Sequence, residues 1–157
     1  MATFRTLEEI EAWKKARELT REVYTISNHG PFAKDFALRD QIRRASASIM
    51  SNIAEGFERS GTAEFVQFLA MAKGSTGEVV SHIYVAADQG YITKEEGDHL
   101  LGLASETSRM IGGLMTYLRK SGIKGAKYKL TQNPKLATVR GAKYRLTRNP
   151  KPETRNS

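Results

Sequence analysis

The chain contains no cysteine, which excludes disulfide bonds, a thiolate nucleophile and any sulfur-ligated zinc site. No stretch approaches the roughly 18 consecutive apolar residues that a membrane span requires. The opening Met1-Ala2-Thr3-Phe4-Arg5 leads straight into a charged segment without an apolar run, so no secretory leader is expected. A cytoplasmic setting follows as the expectation. Missing too are a Ser/His/Asp order, a phosphate-cradling glycine loop after a strand, and any nucleotide motif. Acidic residues run out near the C-terminus: beyond Gly122 only Glu153 remains.

At 157 residues, 39% of them hydrophobic, the chain has the length of one domain with a real core. Its net charge of +8 is distributed very unevenly. Up to Gly122 there are 15 Lys+Arg against 16 Asp+Glu; residues 123–157 hold the other 10 cations against a single acid. A protein that bound nucleic acid over its whole surface would not show this split. The expected organisation is a nearly neutral domain, 1–122, followed by a basic tail, 123–157.

Helical periodicity dominates the first part. Ile10, Trp13, Ala16, Leu19, Val23 and Ile26 recur every three or four residues. Thr6 with Glu9 predicts a capping box for this first helix, and Asn28-His29-Gly30-Pro31 its end. A second helix is expected from Asp35 to Glu55 on the stripe Leu38, Ile42, Ala45, Ile49 and Ile53, with Gly56 as its C-terminal cap. A third starts at Thr62 and carries Phe65, Phe68, Leu69, Ala72, Val79, Val80 and Ile83. Gly74 and Gly77 inside it, each costing about 1 kcal/mol against alanine, predict a close helix crossing. Thr93 and Glu96 form a second capping box. The fourth helix follows on Leu100, Leu103, Met110, Ile111, Leu114 and Leu118. Four amphipathic helices with short links predict an all-α, antiparallel up-down four-helix bundle.

The tail repeats itself. Residues 125–135, Gly-Ala-Lys-Tyr-Lys-Leu-Thr-Gln-Asn-Pro-Lys, return sixteen residues later at 141–151 with nine of eleven positions identical. One Tyr and one Leu per copy cannot build a core, so a disordered segment is expected. Cations flank each ring, as in Lys127-Tyr128-Lys129 and Lys143-Tyr144-Arg145. Such cations neutralise phosphates, and a tyrosine can stack on an unpaired base. The candidate nucleic-acid residues of the tail are Lys124, Lys127, Tyr128, Lys129, Lys135, Arg140, Lys143, Tyr144, Arg145, Arg148 and Lys151. A solubilising extension is the competing account. Binding of RNA or DNA here would be electrostatic and indifferent to sequence.

On the second helix, Arg39, Arg43 and Arg44 offer either a solvated face or a phosphate-contacting ridge. Glu96-Gly97-Asp98-His99 has an E-x-x-H spacing, but di-iron bundles use two such motifs with two further glutamates, and Glu96 is accounted for by capping. No metal, cofactor or catalytic residue is expected, and the chain reads as a non-enzyme.

One set of residues carries a family resemblance. Trp13-Lys14-Lys15-Ala16-Arg17-Glu18-Leu19, Gln41-Ile42-Arg43-Arg44-Ala45-Ser46 and Ser51-Asn52-Ile53-Ala54-Glu55-Gly56-Phe57 follow one another in order. Then come Glu64-Phe65, Phe68-Leu69, Lys73-Gly74-Ser75 and Gly90-Tyr91-Ile92. Over roughly residues 5–120 the chain resembles the four-helix bundle family named after the intervening sequences of 23S rRNA. Met50 stands where that family often has proline, and the repeated tail falls outside the pattern. A related branch comprises the accessory variability proteins of diversity-generating retroelements. The resemblance therefore implies a homo-oligomer, a pentamer in that branch, with RNA and a protein such as a reverse transcriptase as partners. The other reading is a protein-interaction scaffold with no direct nucleic-acid role.

Overall fold

The computed structural model of the chain describes residues 2–121 together with residues 129–130. Four long helices dominate it: α1 (Glu11–Ile26), α3 (Phe36–Glu58), α4 (Thr62–Asp88) and α5 (Lys94–Ser121). A single-turn helix, α2 (Gly30–Lys34), joins α1 to α3. A two-residue antiparallel pairing, Ala2 with Leu130 and Thr3 with Lys129, lies outside the helices.

The helix ends follow local chemistry. Thr6 and Glu9 do not cap α1. They flank a short 3-10 turn, Leu7–Glu9, in which Glu9 accepts the Arg5 amide at 2.9 Å, and α1 starts later from Ile10. Pro31 does not stop the chain from being helical. It sits in the first turn of α2, where its missing N–H costs nothing. Asp35 caps α3 by accepting the Leu38 amide at 3.1 Å. The second capping box is present: Glu96 N–H donates to Thr93 Oγ1, and Thr93 N–H to Glu96 Oε1, at 3.1 and 2.8 Å. Between α4 and α5, Gly90 takes φ +72. The Tyr91 amide reaches back to the Ala86 carbonyl and the Gly90 amide to Ala87, the paired bonds of a Schellman end.

Each long helix packs against two others, α1 on α3 and α5, and α4 on α3 and α5, so the four close into a ring. Contacts fix the direction. Along α3 and α4, Ser48 meets Ser75 and Gly56 meets Phe65, so one index rises as the other falls. Neighbouring helices are antiparallel, as the three-residue link between α3 and α4 and the five-residue link between α4 and α5 require. Inside the ring, Leu19, Ile42, Ile49, Ile53, Phe65, Leu69, Ile83, Leu101 and Ile111 are fully buried. Each contributes on the order of 2 kcal/mol on leaving water.

The glycines invert the expectation from sequence. Gly56 does not cap α3, which runs on to Glu58. It is buried in the helix, and a Cβ there would stand 2.8 Å from Phe68 Cβ and 3.1 Å from the Phe65 ring. Gly74 and Gly77 cross nothing: a Cβ on either would meet no atom within 4 Å. They lie on the outer, exposed face of α4. Opposite effects of alanine follow. Gly56→Ala forces α4 outward and should cost about 1–3 kcal/mol despite its better helix propensity. Gly74→Ala or Gly77→Ala should each raise stability by about 0.5–1 kcal/mol. Urea midpoints of the three variants check this, and a stabilised Gly56→Ala would show that α3 and α4 do not meet at this glycine.

Candidate nucleic-acid interface

Of the tail residues singled out from sequence, Lys124, Lys127, Tyr128, Lys135, Arg140, Lys143, Tyr144, Arg145, Arg148 and Lys151 lie outside the described residues. Lys129 is placed by its backbone alone, opposite Thr3. The expected disorder of the tail likewise falls outside what is described. The three arginines of α3 are placed in full, and they are not equivalent.

Arg39 points back along the chain. Its Nη1 donates to the Ala33 carbonyl at 2.9 Å, closing the end of α2, and its Nε lies 3.3 Å from Asp40 Oδ1. The guanidinium also covers the Phe36 ring at 4.7 Å. Arg43 donates from Nε to Ser27 Oγ at 2.8 Å and covers the Tyr24 ring at 4.8 Å. Both arginines therefore brace the α1–α2–α3 elbow as well as carrying charge. Arg44 is exposed, one step round the helix, with its charge toward solvent.

A further pair lies on α1, where Arg17 covers Trp13 at 5.8 Å. Tyr24 and Phe36 stay 47% and 63% exposed. Arginine beside open aromatic surface is what a stacking site for bases uses. From sequence, Trp13 reads as part of the apolar stripe of the first helix, and Arg17, Tyr24 and Phe36 have no binding role. Trp13 with Arg17 and Phe36 with Arg39 had a signal, four and three residues apart on one helix. Tyr24 with Arg43 had none, because the fold joins them across nineteen positions.

The elbow is held from the other side by Asp35. Its Oδ2 accepts the Tyr91 hydroxyl at 2.9 Å while Oδ1 caps α3, and the Tyr91 ring lies 5.5 Å from that of Phe32. Gly30, Pro31, Ala33 and Lys34 complete a shallow open depression around this pair. The hydrogen bond to Asp35 pushes the Tyr91 hydroxyl above its ordinary ionisation range; desolvation and the carboxylate's charge act the same way. Among the described residues, no three His, Asp or Glu side chains gather where a metal could be held. Glu96 is engaged in the capping box, away from any such role. No helix among the described residues is long and apolar enough to cross a membrane.

A model of the 23S rRNA-intervening sequence protein family matches residues 8–113. The chain belongs to this family. One solved relative of the fold is a protein of unknown function from the S23 ribosomal protein family of Bacteroides thetaiotaomicron. It is 21% identical, with a TM-score of 0.61, over 66% of this chain and 97% of that one. No functionally curated protein matches the sequence. The family match spans α1, α3, α4 and most of α5, and stops short of the repeated tail. No catalytic family is indicated.

The elbow gives a pH-dependent prediction. Because the Tyr91 pKa is raised in the folded state, its stabilising share is intact below the ordinary tyrosine range near 10. It is lost as the pH climbs through the raised folded value. Melting curves of wild type and Tyr91→Phe should therefore differ most near neutrality and converge in strong alkali. Asp35→Ala removes both bonds and should cost about 1–2 kcal/mol. An Asp35→Ala protein that melts like wild type would show that the elbow does not depend on this carboxylate.

Proposed function

We propose that the protein is a non-enzymatic, oligomeric helical bundle that binds nucleic acid, RNA foremost, through basic residues, acting as an accessory factor in the cytoplasm. The observation that carries this reading is the charge split. Ten cations and two tyrosines occupy the last 35 residues beside one acid, while the preceding 122 are almost balanced. The family's printed name concerns an rRNA intervening sequence and supports RNA as the nucleic acid. The division between bundle and tail near Gly122 is part of the same proposal, as is the role of Lys127, Tyr128, Lys129, Lys143, Tyr144 and Arg145 as its main contacts.

Oligomerisation is supported by the outer face of α4. Ala63, Ala70, Gly74, Gly77 and Ser81 run along it with exposed Met71 and Val85, and few charges interrupt them. Phe65 and Phe57 add nothing to this surface, being buried in the core, edge to face at 6.5 Å. In a homo-oligomer, a pentamer by the family resemblance, several tails could engage one nucleic acid, which makes weak contacts avid. The sparsely charged α4 face also favours a rival, a scaffold that docks a protein such as a reverse transcriptase. Light scattering decides between self-association and that rival. A 17.5 kDa particle at micromolar concentration would count against the oligomer.

The binding test is salt dependence. If about six cations per tail meet single-stranded RNA, log affinity falls against log salt with a slope near −4 per tail. Fluorescence anisotropy measures it. Chains ending at Gly122 should keep the melting temperature and lose most of the affinity. Absence of binding to any RNA or DNA in low salt would overturn the reading. Full affinity without the tail would move the site onto the bundle.

A further inference from the structure

Three arginine–aromatic pairs, Arg17 with Trp13, Arg39 with Phe36 and Arg43 with Tyr24, share one flank of the bundle, while a fourth, Arg59 over Phe68 at 5.4 Å, lies between α3 and α4. On α1, Trp13, Arg17, Thr20, Tyr24 and Ser27 recur at spacings of three and four. That flank faces α3, because Thr20 Oγ1 donates to the Ser46 carbonyl at 3.1 Å and Ser27 accepts from Arg43. Arg21, one turn beyond Arg17, is exposed beside it. The acids of α1 lie on the other side. Glu11, Glu18 and Glu22 share their spacing with Lys15, which crosses to Glu106 of α5 at 3.1 Å. The helix thus sorts its charges, arginines toward α3 and carboxylates toward α5. On α3, Asp40 is the single acid between Phe36 and Ala54, and Arg39 pairs with it at 3.3 Å.

We infer that this α1/α3 flank binds an unpaired stretch of nucleic acid, with Tyr24 and Phe36 as stacking surfaces and Arg17 and Arg21 as phosphate contacts. The inference rests on the proposed nucleic-acid function and gives the bundle a site of its own beside the tail. Three observations carry it. Two large rings remain open to solvent in a structure that buries its other phenylalanines wholly or partly. Each lies against a guanidinium, so a base completes a layered stack of flat groups. Cations outnumber the one acid there, Asp40, which Arg39 engages, and the surplus suits a polyanion.

An acidic peptide fits less well. It prefers the two-pronged edge of a free guanidinium, and the Nε of Arg39 and of Arg43 is already engaged by Asp40 and Ser27. Their flat faces remain usable for stacking. A duplex is also disfavoured, because its bases are stacked on one another and closed to side chains.

The test uses the full chain, a fluorescein-labelled single-stranded oligouridine and anisotropy at low salt. Tyr24→Ala with Phe36→Ala should weaken binding about tenfold or more while leaving the salt slope close to wild type. Tyr24→Phe keeps the ring and should keep the affinity. Arg17→Glu with Arg21→Glu, both exposed, should weaken binding and flatten the slope. This pair carries the test if the aromatic variant melts early. Loss on replacing Lys127 and Lys143, with both flank variants binding like wild type, would overturn the flank and leave the nucleic-acid function standing. No binding by wild type would overturn both. A decaglutamate peptide, or duplex RNA, that binds as tightly as oligouridine and responds to the same flank variants would overturn the inference in favour of that partner.

Discussion

The approach of α3 to α4 sets the geometry of the rest. Where Gly56 lies against Phe65 and Phe68 there is no room for a methyl group, and one bundle's depth away Ser48 and Ser75 share a hydrogen bond at 3.0 Å. Small side chains at both levels bring the two axes close together along this stretch. A ring of four helices tolerates only small changes in any one spacing, because interiors are packed to crystal-like density. With α3 fixed on α4, the partners left for α1 and α5 are each other and the remaining open sides.

Much of this was legible in the sequence, and the failures have a common cause. Periodicity located the four long helices, and Thr93 with Glu96 marked the start of α5, because both signals act within one helical turn. Gly56, Gly74 and Gly77 were misread because a glycine's role depends on what stands opposite, and that is decided by tertiary packing. A glycine after an apolar run reads as a stop, yet here the helix has a neighbour to approach. Thr6 with Glu9 had the letters of a cap, but the chain used Glu9 on the Arg5 amide and made one tight turn instead. For the site, the tail cations were visible at once as composition. The elbow that joins Tyr24 to Arg43 and Asp35 to Tyr91 required the fold.

Charge in this protein is organised at two scales. Along the chain, a nearly neutral bundle precedes a cationic segment. Around α1, opposite signs occupy opposite flanks, and Lys15 with Glu18 and Glu106 ties the acidic side to α5. Exposed pairs of this kind add at most about 1 kcal/mol each. Their larger effect is on potential, since neutralised acids on one flank leave the arginines of the other unopposed. Arg39 and Arg43 combine both purposes, bracing the elbow while presenting flat cationic faces.

The closed ring also dictates an order of events at the ribosome. Because α1 is flanked by α3 and α5, and α5 is the last long helix among the described residues, α1 must wait for α5 before its second side is covered. At a synthesis rate of about 5–20 residues per second, the 28 residues of α5 take roughly 1–6 seconds to appear. During that interval α1, α3 and α4 stand as an open trough with one apolar wall missing. Chains arrested or truncated within α5 would expose that trough, so the completion of α5 is the step that hides it.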